Sequence, residues 1–271
     1  MVRTLVTGAT GTLGTALQSC LTEAGHTVRA ASRSPPDEST ADVEWVALDL
    51  AEGTGIQSAL EDVDAVIHAA TAPQGDTKAV DVAGTERLLE AAVEADIENF
   101  VYPSIVGIDE IPFSYYEHKR TAEVAVETSN LPTTIVRATQ FHSFVAELLD
   151  SVAKLPVWPL PTRIQVQPVD VREVADYLVD YATETAAGRT DPVGGPEVHS
   201  VGDLARAYRR ARKLHRPILR IPLPGGTIGA FRAGHATCTE HAVGTVTWKE
   251  WLADQYASDT DDMRRHKQLA V

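Results

Sequence analysis

The chain has 271 residues, of which 44% are hydrophobic and 23% charged, with 38 acidic residues against 24 basic ones. Such values fit a chain that buries one large α/β core, or one core with a smaller appendage, and they exclude a disordered or fibrous protein. The formal charge of −14 opposes attraction to nucleic acid or an anionic membrane, because that attraction needs Lys and Arg to displace counterions; neither partner is expected.

The first half alternates short β-rich runs with helical patterns. Val2 to Thr7 reads as a strand, and a helix from about Thr12 to Ala24 stops at Gly25. Further strands follow at Thr27 to Ala31, Glu44 to Leu48, Ala65 to Ala69, Asn99 to Tyr102 and Thr133 to Arg137. Strands separated by helices need crossover connections, which predicts a Rossmann-type doubly wound parallel sheet with helices on both faces. Between Thr85 and Ala95 a stripe of Leu88, Leu89, Ala92 and Val93 marks a helix covering that sheet.

After about Gln140 the pattern loosens, and Pro156, Pro159 and Pro161 preclude a long helix. A strand-like run from Ile164 precedes a helix over Val171 to Thr183. A helix near Val201 to Leu214, a strand near Ile218 to Ile221 and a last helix from Thr247 complete the pattern. The expected organisation is a dinucleotide-binding core over 1–140, a mixed region over 141–257 that adds core elements and a smaller substrate-binding part, and a loose polar tail over 258–271.

Thr7 to Gly14 reads TGATGTLG, with Gly8, Gly11 and Gly14 spaced three apart between the first strand and the first helix. Gly8 takes a turn that a Cβ would forbid, Gly11 lets the main chain approach a pyrophosphate, and Gly14 lets the helix pack closely on the sheet. The helix start offers free N–H groups and a positive dipole end to the anion. Gly8, Thr10, Gly11, Thr12, Leu13 and Gly14 are therefore assigned to a dinucleotide. The alternative, a glycine-rich turn with no ligand, is disfavoured by the strand-loop-helix context.

At the end of the second strand an acid would hold the ribose 2′-OH of NAD; Ser32 and Arg33 stand there instead. An Arg fork suits a 2′-phosphate, so NADP(H) is expected over NAD(H). Asp49 and Leu50 follow the third strand where an adenine would lie. Ala69, Ala70 and Thr71, in HAAT, follow the fourth, where small residues let the cofactor pass.

Tyr115 lies four residues before Lys119 in a helical pattern, so both project from one face. A nearby ammonium favours the phenolate, which makes Tyr115 a candidate general acid/base, with Tyr116 as its competitor. Lys119 also suits the nicotinamide ribose hydroxyls. Ser104 follows the fifth strand at the carboxyl edge of the sheet and is a candidate to orient the substrate oxygen.

TGATGTLG, the Tyr115 to Lys119 pair with Glu123 four residues on, and QPVDVREVA from Gln167 together resemble the short-chain dehydrogenase/reductase superfamily, specifically its extended and atypical NmrA-like members. The resemblance covers most of the chain. It implies a Rossmann domain and hydride transfer between NADP and a carbonyl, alcohol or quinone-like small molecule. The chain departs from it at HAAT, where well-known dehydrogenases carry Asn-Ala-Gly. Two other readings stay open: an NmrA-like protein that senses NADP(H) without catalysis, and an extended-type nucleotide-sugar epimerase or dehydratase with tightly held NAD.

Cys20 and Cys238 are too few for a disulfide framework, and nine scattered His show no metal-ligand spacing, so no metal site is expected. The basic stretch from Arg206 to Arg216 reads as a solvated face. No apolar run approaches the roughly 20 residues that cross a bilayer. A cytoplasmic location is expected, and oligomeric state is left open.

Overall fold

The computed structural model describes every residue except 37, 38, 41 and 258–271, so the tail expected from Ser258 lies outside the described residues. The chain divides into two compact units. Met1–Ala138 with Val171–Val193 forms the first, and Thr139–Asp170 with Gly194 onward forms the second. The expected boundary near residue 140 thus falls close to the first crossing between units, but Val171–Val193 returns to the first unit.

In the first unit the chain runs through β1 (Arg3–Thr7), α1 (Thr12–Glu23), β2 (Thr27–Ser32), β3 (Val43–Ala47), α2 (Ile56–Leu60) and β4 (Ala65–His68). A π-helical turn at Lys78–Ala83 leads into α3 (Gly84–Glu94), followed by β5 (Asn99–Ile105), α4 (Ser114–Glu127) and β6 (Thr133–Ala138). The second unit takes α5 (His142–Ala153), β7 (Trp158–Leu160) and β8 (Gln165–Val166). The chain then returns to the first unit for α6 (Val171–Thr183) and β9 (Gly188–Arg189). It ends in the second with β10 (His199–Ser200), α7 (Val201–Ala211), β11 (Ile218–Arg220), α8 (Gly226–Arg232) and α9 (Trp248–Gln255).

The first unit's sheet has the order β3-β2-β1-β4-β5-β6-β9 and is parallel throughout. This is the expected Rossmann-type fold. Its direction of winding reverses between β1 and β4, which places the loops after these strands at the crevice where open α/β sheets bind ligands. Right-handed crossovers put α1 and α6, which pack together, on one face and α2, α3 and α4 on the other.

All four residues of β4 are buried because both faces of the sheet are covered. Helix α1 buries Gly14, Leu17 and Leu21, spaced three and four apart along one face. Each fully buried Leu contributes about 1.5–3 kcal/mol. The chain leaves α1 through Gly25 at φ 79° and enters β2.

Several expected boundaries move. The buried stripe of α3 is Leu88, Leu89, Ala91 and Ala92, while Val93 turns outward at 42% exposure. β5 continues to Ile105, so Ser104 lies inside the strand, in register with Arg137 of β6. β4 ends at His68, one residue early. The run from Ile164 yields only Gln165–Val166, paired antiparallel with β10. Helices α2, α5 and α8 were not expected.

Candidate active site

The glycine loop fits a pyrophosphate on three geometric counts. Gly8 sits at φ 66°, and a Cβ there would lie 2.7 Å from Ala70 Cα. At Gly14 a Cβ would fall 2.2 Å from the Gly8 carbonyl oxygen and 2.6 Å from Ala9 Cα, so any side chain would push α1 off the loop. Gly11 is the extended N-cap residue of α1, and no side chain caps that helix start. The cradle thus keeps its first-turn amides uncapped beside the exposed Thr10, Gly11 and Thr12 and the half-buried Leu13.

Ser32 ends β2 half-buried and Arg33 follows it fully in the open. Asp49 follows β3, where its Oδ1 accepts the amides of Ala51 at 2.9 Å and Glu52 at 3.2 Å and closes its own turn. The Leu50 side chain belongs to the core, 5% exposed, where a Cβ on Gly84 would meet it.

A chain of hydrogen bonds fixes the backbone around the switch point. Thr85 Oγ1 donates to the Asp81 carbonyl at 2.7 Å, which commits its only proton. Its contact with His68 Nε2 at 2.9 Å therefore has the ring donating, and His68 Nδ1 in turn accepts from Thr7 Oγ1 at 2.8 Å. Thr7 Oγ1 also accepts the Ala70 amide at 3.2 Å. Burial, with Lys119 adding to it, pushes His68 down to about 3, so the ring stays neutral and this order of donors persists at physiological pH. The ends of β1 and β4, and with them Gly8 and Ala70, are locked together.

Ala69 and Ala70 are half-buried in this segment and Thr71 is exposed. Thr71 Oγ1 lies 3.0 Å from Tyr115 Oη and donates to Asp81 Oδ1 at 2.5 Å. Asp81 Oδ2 accepts the Ala72 amide at 2.9 Å, and the residue is 1% exposed. Tyr115 is thereby drawn to the segment that packs on Gly8. Tyr116 is buried at 6% exposure, its ring packed against Phe113 and Tyr115, so Tyr115 is the more open phenol of the two.

Lys119 Nζ makes no hydrogen bond to Tyr115 in this structure. Lys119 Nζ donates to the Pro103 carbonyl at 3.3 Å and sits 4.1 Å above the Tyr102 ring. Burial pushes Lys119 down to about 8, against the opposing pull of the Asp81 and Glu123 carboxylates. Tyr115 moves the other way, up to about 12. Burial is the main cause, the Thr71 hydroxyl partly offsets it, and Asp81 and Tyr116 add to the rise. An ammonium directed at a carbonyl and an aromatic face does not supply the acidification that the one-turn spacing predicted.

Ser104 is also placed differently. Its hydroxyl donates to Glu123 Oε2, and both residues are buried. Glu123 in turn binds Arg137 at 2.6 Å, Arg189 at 2.9 Å and Arg120 at 3.1 Å. Inside β5, its proton committed to this network, Ser104 ties the strand to α4 instead of presenting a donor at the sheet edge. Asp81, His68 and Thr85 were not assigned from sequence; the lone acid in the otherwise apolar AVDVAG run was the available signal for Asp81.

A family of NAD(P)H-binding proteins matches residues 8–185. The chain belongs to that family. It is 27% identical over 236 residues to the photosystem II assembly factor Ycf39 of Synechocystis, a match covering 82% of this chain and 71% of the relative. A (4-alkanoyl-5-oxo-2,5-dihydrofuran-3-yl)methyl phosphate reductase of Streptomyces griseus is 30% identical over 220 residues, covering 79% and 74%. The chain spans 24% of the length of longer mycobacterial relatives. Among solved structures, MoeE5 in complex with UDP-glucose and NAD superposes with a TM-score of 0.76 at 20% identity, covering 96% of this chain and 99% of that one. The expected NAD(P)H-binding, Rossmann-type reading holds. No helix among the described residues is long and apolar enough to cross a membrane, and no group of three or more His, Cys, Asp or Glu among them could hold a metal ion.

Proposed function

We propose that this protein is an NADP(H)-dependent oxidoreductase acting on a carbonyl, alcohol or quinone-like small molecule. The observation that carries the reading is the 3.0 Å contact of Tyr115 Oη with Thr71, on the segment whose Ala70 packs against Gly8. It brings an ionisable hydroxyl to the same crevice as the pyrophosphate cradle. The bound nicotinamide would supply or accept the hydride; the chain's own residues bind, orient and move the proton.

In this reading Gly8, Thr10, Gly11, Thr12, Leu13 and Gly14 hold the pyrophosphate, with Ser32 and Arg33 at the 2′-phosphate and Asp49, Leu50, Ala69, Ala70 and Thr71 along the cofactor's path. Tyr115 exchanges a proton with the substrate oxygen. Lys119 holds the nicotinamide ribose, and its lowered pKa leaves it charged at neutral pH while easing proton loss above that. Ser104 acts by fixing Glu123 and α4 beneath the site, not by touching substrate.

The test is calorimetry with NADPH and NADH, followed by turnover of diacetyl and 9,10-phenanthrenequinone by wild type and Tyr115→Phe. NADPH should bind at least tenfold more tightly than NADH, and Arg33→Gln should erase that difference. The phenol-to-phenyl change should cut turnover by about 100-fold or more. Turnover that persists within tenfold in Tyr115→Phe removes the assigned proton donor. The relative described as an assembly factor favours a second reading, a binding protein that reports NADP(H) state. Tight NADPH binding without consumption across the carbonyl panel would select it.

A further inference from the structure

We infer that Thr71 and Asp81 are positioning residues that complete a directed proton relay, Tyr115 Oη to Thr71 Oγ1 to Asp81 Oδ1. The inference rests on the oxidoreductase reading above and adds to it the route by which Tyr115 exchanges its proton.

The direction follows from donor counting. Asp81 Oδ1 lies 2.5 Å from Thr71 Oγ1, and a carboxylate only accepts, so the single hydroxyl proton of Thr71 goes to Asp81. The 3.0 Å contact between Thr71 Oγ1 and Tyr115 Oη then has the phenol donating. The second oxygen of Asp81 is occupied by the Ala72 amide at 2.9 Å, which holds the carboxylate in one orientation. Asp81 is 1% exposed, whereas Thr71 stands in the open. Asp81 lies in the π-helical turn Lys78–Ala83, a form of backbone irregularity found most often at functional sites.

The relay answers a difficulty in the site. Buried and facing Asp81 and Tyr116, the Tyr115 phenol is a poor acid at neutral pH and gives up its proton only to a base held within reach. During alcohol oxidation the carbinol proton passes to Tyr115 Oη while the phenol proton moves to Thr71 Oγ1 and the Thr71 proton to Asp81 Oδ1. Three O–H bonds break and three form, and Asp81 ends as the neutral acid. A bound oxidised dinucleotide would accept the two electrons from the carbinol carbon as hydride. Carbonyl reduction runs the same transfers backwards from protonated Asp81. Lys119 and Tyr102 also feel the Asp81 charge, and Lys119 Nζ sits 4.1 Å above the Tyr102 ring.

The variants that test this are Thr71→Val, Thr71→Ser and Asp81→Asn, with Tyr115→Phe as reference. Phenanthrenequinone reduction by NADPH should fall about 10- to 100-fold in Thr71→Val and recover most of that loss in Thr71→Ser. The proton inventory in mixed H2O and D2O should be curved in wild type and linear in Thr71→Val. A second measurement needs no turnover: tyrosinate absorbance at pH 10 to 11, with circular dichroism confirming the fold, taken as the difference from Tyr115→Phe. That signal should rise in Asp81→Asn, which removes a negative charge beside the phenol. Turnover lost in Tyr115→Phe but unchanged in rate and inventory in Thr71→Val overturns the relay and leaves the oxidoreductase reading standing. If wild type turns over no probe, the oxidoreductase reading fails and the relay, which rests on it, falls with it; a tyrosinate signal unchanged in Asp81→Asn overturns the relay on its own.

Discussion

Replacing Lys119 with Met isolates the electrostatic cost of the site. The ammonium is 5% exposed, and its only described polar contact is the 3.3 Å bond to the Pro103 carbonyl, supplemented by the Tyr102 ring. Its fall from 10.5 to about 8 corresponds to about 3 kcal/mol at 1.36 kcal/mol per unit. A base whose folded pKa lies below its unfolded one binds fewer protons in the native state between those values. The stability of the native state therefore rises with pH from about 8 to 10.5, and the penalty is fully present below 8. Methionine keeps most of the stem's packing and carries no charge. Urea unfolding of both proteins at pH 7, 8, 9 and 10 should show wild type gaining on Lys119→Met by up to about 3 kcal/mol across the series. Other groups titrate in both proteins and cancel in the difference. A gap of the same size at pH 7 and pH 10 would refute the argument that Lys119 is held charged against its surroundings.

Gly14→Ala places a Cβ 2.2 Å from the Gly8 carbonyl oxygen and must displace α1 from the loop. It should lower stability by about 1–3 kcal/mol and abolish NADPH binding, read by thermal unfolding and calorimetry; wild-type affinity in this variant would show that the cradle is not the binding site. Glu123→Ala leaves Arg137, Arg189 and Arg120 without their shared buried carboxylate. Arg137 and Arg120 keep Asp109, and Arg189 and Arg120 keep Glu127, so a loss of about 1–3 kcal/mol in urea unfolding is expected, with Glu123→Gln less severe because it retains one acceptor oxygen; a loss below about 1 kcal/mol would mean that the network is not coupled to folding.

The sheet was legible because its signals are local. Each of β1, β2, β4, β5 and β6 is a short apolar run with a turn or helix on either side, and TGATGTLG marks the first crossover by glycines that only a tight turn explains. What escaped were elements whose evidence is short or interrupted. α2 has five residues and starts from Gly55 at φ 81°, too brief for a period to show. α5 does carry a local signal, since His142, Val145, Ala146 and Leu149 fall on one face, but it is a short one that runs straight into the proline-rich break at Pro156. β9 has two exposed residues and exists only by pairing with β6, a contact that no local pattern encodes.

The site divides along the same line. Gly8, Gly11 and Gly14 are constrained by contacts within a few residues, so their roles could be argued from spacing. Tyr115 and Lys119 share a helix one turn apart, which spacing alone predicts. Spacing could not say which way an ammonium turns once buried, and that depends on Pro103 and Tyr102 from β5, elements distant in sequence. Asp81 follows the same logic: Thr71 lies 10 residues before it, and Tyr115, which reaches Thr71, stands 44 residues after that threonine. A buried carboxylate persists only with donors in place. The acid in AVDVAG was therefore already a statement that some distant hydroxyl or amide must meet it, even though sequence could not name which.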